Sequence, residues 1–582
     1  MLRKTLLASA VAVAAITLAA CGGGSNSVAA SPTVPGTSYT AARALATATP
    51  IKHVVVLYQE NVSFDHYYAT YPTATNPAGE PAFTAKAGTP AVNNLVSANL
   101  LSNNPNFTNT TNGADAAEPY RLDRTQAATA DQNHAYTAEQ QAYDGGKADL
   151  FPKYTGAATT GGVGAFGTKG QVMGYYDGNT VTALWNYAQN FALSDDAYTD
   201  TYGPSTPGAL EAVSGQTNGV QLVATTDQPF TLSKYSYYIS DGQGGYGLIN
   251  DVDPAYDICS SPTNQVSMSG KNIGDLLNGK NISWGGFMGG FNLTVTNPNG
   301  TTGCKRSTNS PIIGGNISDY IQHHNWFQYY KSTANPTHAR PSSILAIGHS
   351  LETDNKTADP ANHEYGLQDF FAAVKAGNMP AVAYLKAPAF EDGHAGYSDP
   401  LDEQAFVTQV VNFLEQQPQW SSTAVIVTWD DSDGWYDHAF ANTTNPSFDS
   451  QADQLNGAGV CGKGTPLSGV NGKPVNGRCG PGTRIPFLVI SPWAKTNYVS
   501  NTPISQASIV RFIEDNWLGG QRLGGGSFDA TAGSINDLFD FTKSVGSAPK
   551  VFIDPAQGTV LSAPPAGSLT PQFNVSLFTK QS

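Results

Sequence analysis

Charged side chains are scarce in this chain: Asp, Glu, Lys and Arg make up 13% of its 582 residues, against ~25% in an ordinary globular protein. Its surface must therefore be carried largely by neutral polar groups such as Asn, Thr, Ser, Gln and Tyr. Basic residues are the scarcer sign, 30 against 45 acidic, for a formal net charge of -15. Such a field repels phosphate backbones and argues against a general nucleic-acid binder. An anionic substrate stays admissible, because a bound cation can reverse the sign locally. Cysteines number only 5, with no C-x-x-C spacing to suggest a zinc ribbon. Heptads and internal repeats are missing, which excludes coiled-coil and solenoid architectures. There is no Walker A motif. Ser205 and Ser350 both fail the G-x-S-x-G test, since Pro207 and Glu352 stand at its last position. One G-x-G-x-x-G, Gly162 to Gly167, has no buried strand before it and reads as a loop.

What is present begins with an export signal. Met1-Leu2-Arg3-Lys4 precedes an apolar run from Leu6 to Ala20. A basic start before such a run reads as a secretory signal peptide, residues 1–20, too short for the ~20 residues that span a bilayer. Leu18-Ala19-Ala20-Cys21 resembles a bacterial lipobox, with Cys21 as the lipidated residue; cleavage beside an incidental cysteine is the alternative. Gly22 stands where an Asp would retain a lipoprotein at the inner membrane, so the expected location is the outer membrane of a Gram-negative bacterium, facing periplasm or exterior. Four cysteines remain, Cys259, Cys304, Cys461 and Cys479. An even number in an exported chain implies two disulfides, and the local pairs 259–304 and 461–479 are preferred among three connectivities.

Residues 21–48, rich in Gly, Ser, Ala, Thr and Pro, read as the lipidated cysteine and a flexible tether. Residues 546–582 read as a C-terminal wrapping tail. Residues 49–545 contain no linker and form one large domain. Unbroken apolar runs at 54–58, 381–385, 424–429 and 487–490 predict strands covered on both faces. Helical patterns at 364–376, 403–416 and 505–518, the last with Ser505 as N-cap, lie between or after them. Strands alternating with helices predict an α/β fold with a mainly parallel sheet and a site beyond the strands' carboxyl ends.

The first strand delivers Glu60 and Asn61 to such an end. One is an anionic and one a neutral oxygen donor, suited to a hard divalent cation; alone, the pair also reads as a polar strand end. The strand at 424–429 runs into Asp430-Asp431-Ser432-Asp433, three carboxylates that repel one another unless neutralised. The spacing is not that of an EF-hand, so it is either a solvated acidic turn or half of a metal site built from two strand ends. In Tyr202-Gly203-Pro204-Ser205-Thr206-Pro207, Ser205 falls at a helix N-terminus, where a serine can cap or act as a nucleophile. Among ten histidines, His394 stands out in a Gly-flanked loop just past the strand at 381–385, and His323 and His324 stand adjacent.

Together these segments resemble the bacterial phosphoesterase family that contains the acid phosphatase AcpA and the non-haemolytic-type phospholipases C. The resemblance spans about residues 50–545 and is carried by "IKHVVVLYQENVSFDHYY", "DQNHAY", "YGPSTPG", "HHNWFQYYKSTANPTHARPSS", "DGHAGYSDPLDEQ" and "TWDDSDGWYDH". It implies an alkaline phosphatase-like α/β fold, a mainly parallel central sheet flanked by helices with long loop insertions, and makes 49–545 the phosphoesterase catalytic domain. It implies Glu60, Asn61, Asp430 and Asp431 as ligands of one divalent metal ion, with Ca²⁺, Mg²⁺ or Mn²⁺ favoured by the oxygen donors and iron or zinc left open. Ser205 matches the nucleophile. His134, His323, His324 and His394 match active-site histidines, with His394 and His134 placed in proton transfer and His323 and His324 in phosphate binding. Val62 departs from the Arg often found in E-N-R-S-F-D-H, which points to altered loop packing or substrate contact. Pro207-Gly208 replaces the Pro-Asn-Arg of phospholipase members. The expected function is metal-dependent hydrolysis of phosphate monoesters, as an acid phosphatase, through a phosphoserine. The alternatives are a phospholipase C-type phosphodiesterase and a non-catalytic surface lipoprotein. Expected partners are phosphorylated small molecules or phospholipid head groups, with the membrane reached through the lipid anchor.

Overall fold

Continuous apolar runs need cover on both faces, and the centre of this molecule supplies it. The computed structural model describes residues 46–224, 229–545 and 548–579; the expected signal peptide, Cys21 and most of the expected tether lie outside them. The main sheet contains β1 (His53–Gln59), β2 (Ala192–Ser194), β3 (Trp284–Met288), β4 (Glu364–Gly366), β5 (Val382–Lys386), β6 (Thr423–Trp429), β7 (Phe487–Ile490) and β8 (Tyr498–Ser500). Their order is β4-β3-β5-β1-β6-β7-β2-β8. From β4 through β6 every pairing is parallel. β7 runs antiparallel to both its neighbours, and β8 is parallel to β2. The result is a mixed α/β fold with a mainly parallel central sheet. A separate five-stranded sheet forms within residues 218–268.

Register places the chemistry. Gln59 pairs with Trp429 at the ends of β1 and β6, so the following residues, Glu60 and Asp430, emerge side by side. Lys386 at the end of β5 pairs with Met288. All seven residues of β1 and all seven of β6 are buried.

Four helices matter here: α1 (Ser205–Ser214), α2 (Leu367–Lys375), α3 (Pro400–Leu414) and α4 (Ala507–Trp517). Three helix boundaries differ from the sequence expectation. The pattern at 364–376 is helical only from Leu367, because Glu364 to Gly366 pair with β3 as strand β4. α3 starts at Pro400, ahead of 403, because Asp399 accepts hydrogen bonds from the N–H groups of Leu401 and Asp402 at 2.9 and 3.0 Å. Ser505 does not cap α4: it lies in a two-residue strand beside Ala197–Tyr198, and Asp200 Oδ2 accepts from Ala507 N at 2.7 Å instead.

Cys259–Cys304 and Cys461–Cys479 are disulfide-bonded. Residues 548–579 run along the α2 and α3 side of the core. Asn412 on α3 exchanges two hydrogen bonds with the Ile553 backbone, at 2.7 and 3.0 Å, and Phe573 stacks on Phe371 at 5.3 Å. Among the described residues, no helix is long and apolar enough to cross a membrane.

Candidate active site

Beyond the carboxyl ends of β1 and β6 the chain turns sharply. Asn61 adopts a left-handed conformation at φ 62°, which asparagine tolerates better than most residues. Its N–H donates to Asp430 Oδ1 at 3.0 Å and its side-chain amide to Asp433 Oδ1 at 3.0 Å. The two strand ends are thus tied together directly.

Ser205 is the first residue of α1. Pro204 holds the cap position, with no side-chain cap bond, so the capping role left open by the sequence is not the one Ser205 takes. Its Oγ instead lies 2.9 Å from Glu60 Oε2, 3.2 Å from Asp431 Oδ2 and 3.4 Å from Asn61 Oδ1. A hydroxyl has one hydrogen to give to three acceptors. α1 reaches this depth because Gly208 has no side chain: a Cβ there would sit 2.2 Å from the Asp430 carbonyl oxygen. Tyr58 at the end of β1 donates to Gly208 O at 2.7 Å, fixing the helix on the strand.

The pit is short of positive charge. Glu60, Asp430 and Asp431 are each at most 1% exposed. Burial, and then the neighbouring Asp430, push the Asp431 carboxyl well above the usual carboxylate range. Asp430 Oδ1 accepts from two backbone N–H groups, of Asn61 and Asp431, whereas its Oδ2 is buried with no partner. That orphaned oxygen and the three acceptors crowding one hydroxyl fit a divalent cation, which Glu60, Asn61, Asp430 and Asp431 would hold through oxygen. Ligand atoms of Glu60, His324 and Asp392 also lie within 4.8 Å of one another. Asp131, His134 and His394 form another such set on the wall of the cavity described below, and two further groupings of acids with His or Cys fit less well. Near Asp257 and His338, Cys259 is spent in a disulfide, and Asp65, Asp437 and His438 surround the guanidinium of Arg484.

The four expected histidines converge. His134 and His394 rings are 5.9 Å apart, His394 and His324 6.3 Å, and His324 and His323 4.5 Å. All four line one cavity of about 510 Å³, together with Pro204 and Tyr397. Their environments split them into two kinds. Burial lowers His394 to about 4. His324 is held well below the usual imidazole value by burial and by the other three histidines. Burial opposes the charged form of His134 too, but Asp431, Asp433 and Asp131 outweigh it and raise its pKa. His323 is raised in the same way by Asp251 and Asp253.

The sequence reading missed several residues here. Lys386, 1% exposed, contacts Glu60 Oε1; a lysine directly after an apolar run is a readable sign of a buried charge at a strand end. Asp392 is raised to about 8, chiefly by burial. Glu139, raised to about 7 by burial, accepts from Gly203 N at 2.9 Å and Ser432 Oγ at 2.8 Å, joining the loop before Ser205 to the loop after β6. Val62 is buried in the core at 1% exposure, so its departure from Arg is accommodated by packing.

A buried serine at a helix start, ringed by carboxylates and faced by histidines, is a site for acyl or phosphoryl chemistry on an α/β sheet. The chain belongs to the Phosphoesterase family, whose model matches residues 51–518. The non-haemolytic phospholipase C of Burkholderia pseudomallei is 24% identical over 523 residues, covering 88% of this chain and 62% of that protein. Its Pseudomonas aeruginosa counterpart is 24% identical over 478 residues, covering 80% of this chain and 54% of that protein. Phospholipase C A of Mycobacterium tuberculosis is 23% identical over 482 residues, covering 80% and 72%. The chain thus spans less than two thirds of the length of the first two relatives. Among solved structures, murine ectonucleotide pyrophosphatase/phosphodiesterase 5 covers 62% of this chain and 95% of its own at 11% identity, with a TM-score of 0.29. A mutant of the alkaline phosphatase PafA covers 61% and 93% at 11% identity, also with a TM-score of 0.29.

Proposed function

We propose that this protein hydrolyses phosphate esters by way of a phosphoserine on Ser205. The observation that carries the reading is the position of the Ser205 hydroxyl, within 3.4 Å of Glu60, Asn61 and Asp431 and one residue from a histidine-lined cavity. A divalent cation held by Glu60, Asn61, Asp430 and Asp431 would supply charge neutralisation at the serine oxygen and at a phosphoryl oxygen. Ser205 Oγ forms a bond to phosphorus as the ester P–O bond breaks, and its proton passes to a neighbouring base. His134, kept cationic by its carboxylates, gives a proton to the departing alcohol oxygen, while His394, held neutral by burial, can accept one. Water then attacks the phosphoserine from the opposite side, releases phosphate and returns a proton to Ser205. His323 and His324 orient the phosphoryl oxygens.

A small phosphate monoester is the first reading of the substrate, because four histidines with Asp131 and Asp251 face the cavity, alongside a smaller set of apolar residues such as Ala157 and Ile321. A phospholipase C-type diesterase is the second, favoured by the names of the relatives. The two disulfides support an oxidising, exported setting, for which Cys21 would be the lipid anchor. Wild type and Ser205→Ala are to be assayed on p-nitrophenyl phosphate and on phosphatidylcholine vesicles, each with and without chelator. Turnover of the first substrate alone, abolished by chelator and by Ser205→Ala, is expected. Vesicle turnover would replace the monoesterase reading by the second. Wild-type rates in Ser205→Ala would end the phosphoserine route.

A further inference from the structure

Lys386 has no part in the reaction as written above, yet it is buried at the centre of the pit. It is the last residue of β5, aligned with Met288 of β3 and one strand over from β1. Its ammonium lies against Glu60 Oε1 and over the Tyr58 ring, 5.5 Å from the centroid. His324 Nδ1 approaches the same Glu60 oxygen at 3.1 Å, and Asp392 Oδ2 at 3.9 Å from that nitrogen completes the surround. Glu60 therefore has two different faces. Oε2 looks toward Ser205 at 2.9 Å; Oε1 looks toward Lys386, His324 and Asp392.

Glu60, His324 and Asp392 are a three-ligand set with donor atoms within 4.8 Å of one another, two oxygens and one imidazole nitrogen. That composition suits a divalent first-row ion. His324 meets Glu60 at Oε1, whereas the Ser205 hydroxyl meets it at Oε2, so one carboxylate is shared between two places for positive charge. Sharing of this kind is how two-metal hydrolytic sites bridge ions ~3.5–4 Å apart. Here the Glu60 Oε1 end of that set already holds an ammonium.

We propose that Lys386 is a built-in second cation: it fills the position a second divalent ion would take on Glu60, His324 and Asp392, and so makes the site take a single ion. This rests on the metal-assisted reading of the Ser205 pit. Lys386 acts through Glu60, as a positioning residue, keeping Oε1 engaged so that Oε2 is presented to the serine. Its single charge is fixed to the chain, so the charge balance on that side of Glu60 does not vary with the supply of metal.

The test is calorimetric titration of Mn²⁺ into the chelator-stripped full chain, for wild type, Lys386→Gln and Lys386→Arg, with melting curves for each. Wild type and Lys386→Arg are expected to bind one ion. Lys386→Gln is expected to bind two, while its phosphatase turnover falls at least tenfold. A lysine serving stability alone would lower the melting temperature and leave the stoichiometry at one, which would overturn the proposal. So would two ions in the wild type, a result that needs no variant to fold. If the wild type binds no ion and chelator leaves its activity unchanged, the metal-assisted reading itself fails; one ion in both wild type and Lys386→Gln removes this inference alone.

Discussion

Two buried acidic clusters grow from the same two strands. The β1 extension carries Glu60 and then Asp65; the β6 extension carries Asp430 and Asp431 and then Asp437. In the outer cluster, Arg484 is fully buried, donates to Asp437 Oδ1 at 3.0 Å and Asp65 Oδ1 at 3.2 Å, and caps the carbonyls of Asn93 and Asp195. Burial works against both carboxylates: His438 and Arg484 outweigh it at Asp65 and hold that pKa below the usual value, whereas at Asp437 burial prevails in part and raises it to about 6. In the inner cluster, three carboxylates meet one lysine and a hydroxyl, and Asp431 is pushed upward. Acidity at a strand end is common to both. What separates structure from chemistry is whether the chain supplies its own counter-charge.

Matched isosteric changes sharpen that contrast. Asp431→Asn should lower phosphatase turnover by about 10³-fold or more, on the scale of losing a group that acts on the transition state, with little loss of melting temperature. Asp437→Asn should leave turnover of the folded protein within a few-fold. Equal activity losses in the two would erase the distinction. Arg484→Met should cost about 3–5 kcal/mol of stability, because it strands Asp65 and Asp437 as buried charges, read by urea unfolding with activity followed in parallel.

The pH dependence of the metal-free protein comes next in size. Asp431 is raised by burial and by Asp430, Glu139 to about 7 and Asp392 to about 8, both chiefly by burial. Folded values above unfolded ones mean that the folded state binds more protons, so stability should fall as pH rises from ~4 toward 8. Melting curves in chelator across that range should show the decline, and added divalent ion should flatten it. The smallest effect is Ser432→Ala, which removes one donor from buried Glu139 and should cost about 1–2 kcal/mol. A larger drop in turnover than in stability would show that the Glu139 tie aligns Ser205 with the β6 loop.

Much of this was readable from local pattern. The runs at 54–58, 424–429 and 487–490 are strands because residues apolar on both faces have nowhere else to go, and they appear within a residue or two as β1, β6 and β7. Ser205 at the start of a helix followed from Gly203-Pro204 and Pro207. Two misplacements have a common cause. Ser505 looked like a cap, but Asp200, some 300 positions away, takes that backbone N–H. Residues 364–366 looked helical, but β3 offers them a strand partner. In both, a remote hydrogen-bonding group outcompeted the local preference.

The sequence by itself determined the strands, the helix that begins at Ser205 and the polar residues that follow the strand ends, since all of these depend on neighbours a few positions apart. Tertiary structure alone decided which acids go uncompensated, that Lys386 faces Glu60, and that Ser205 meets three oxygens. Coulomb energy depends on distance and on burial, and both are set by strand register and by the close approach of Gly208 to Asp430, contacts between segments separated by hundreds of residues.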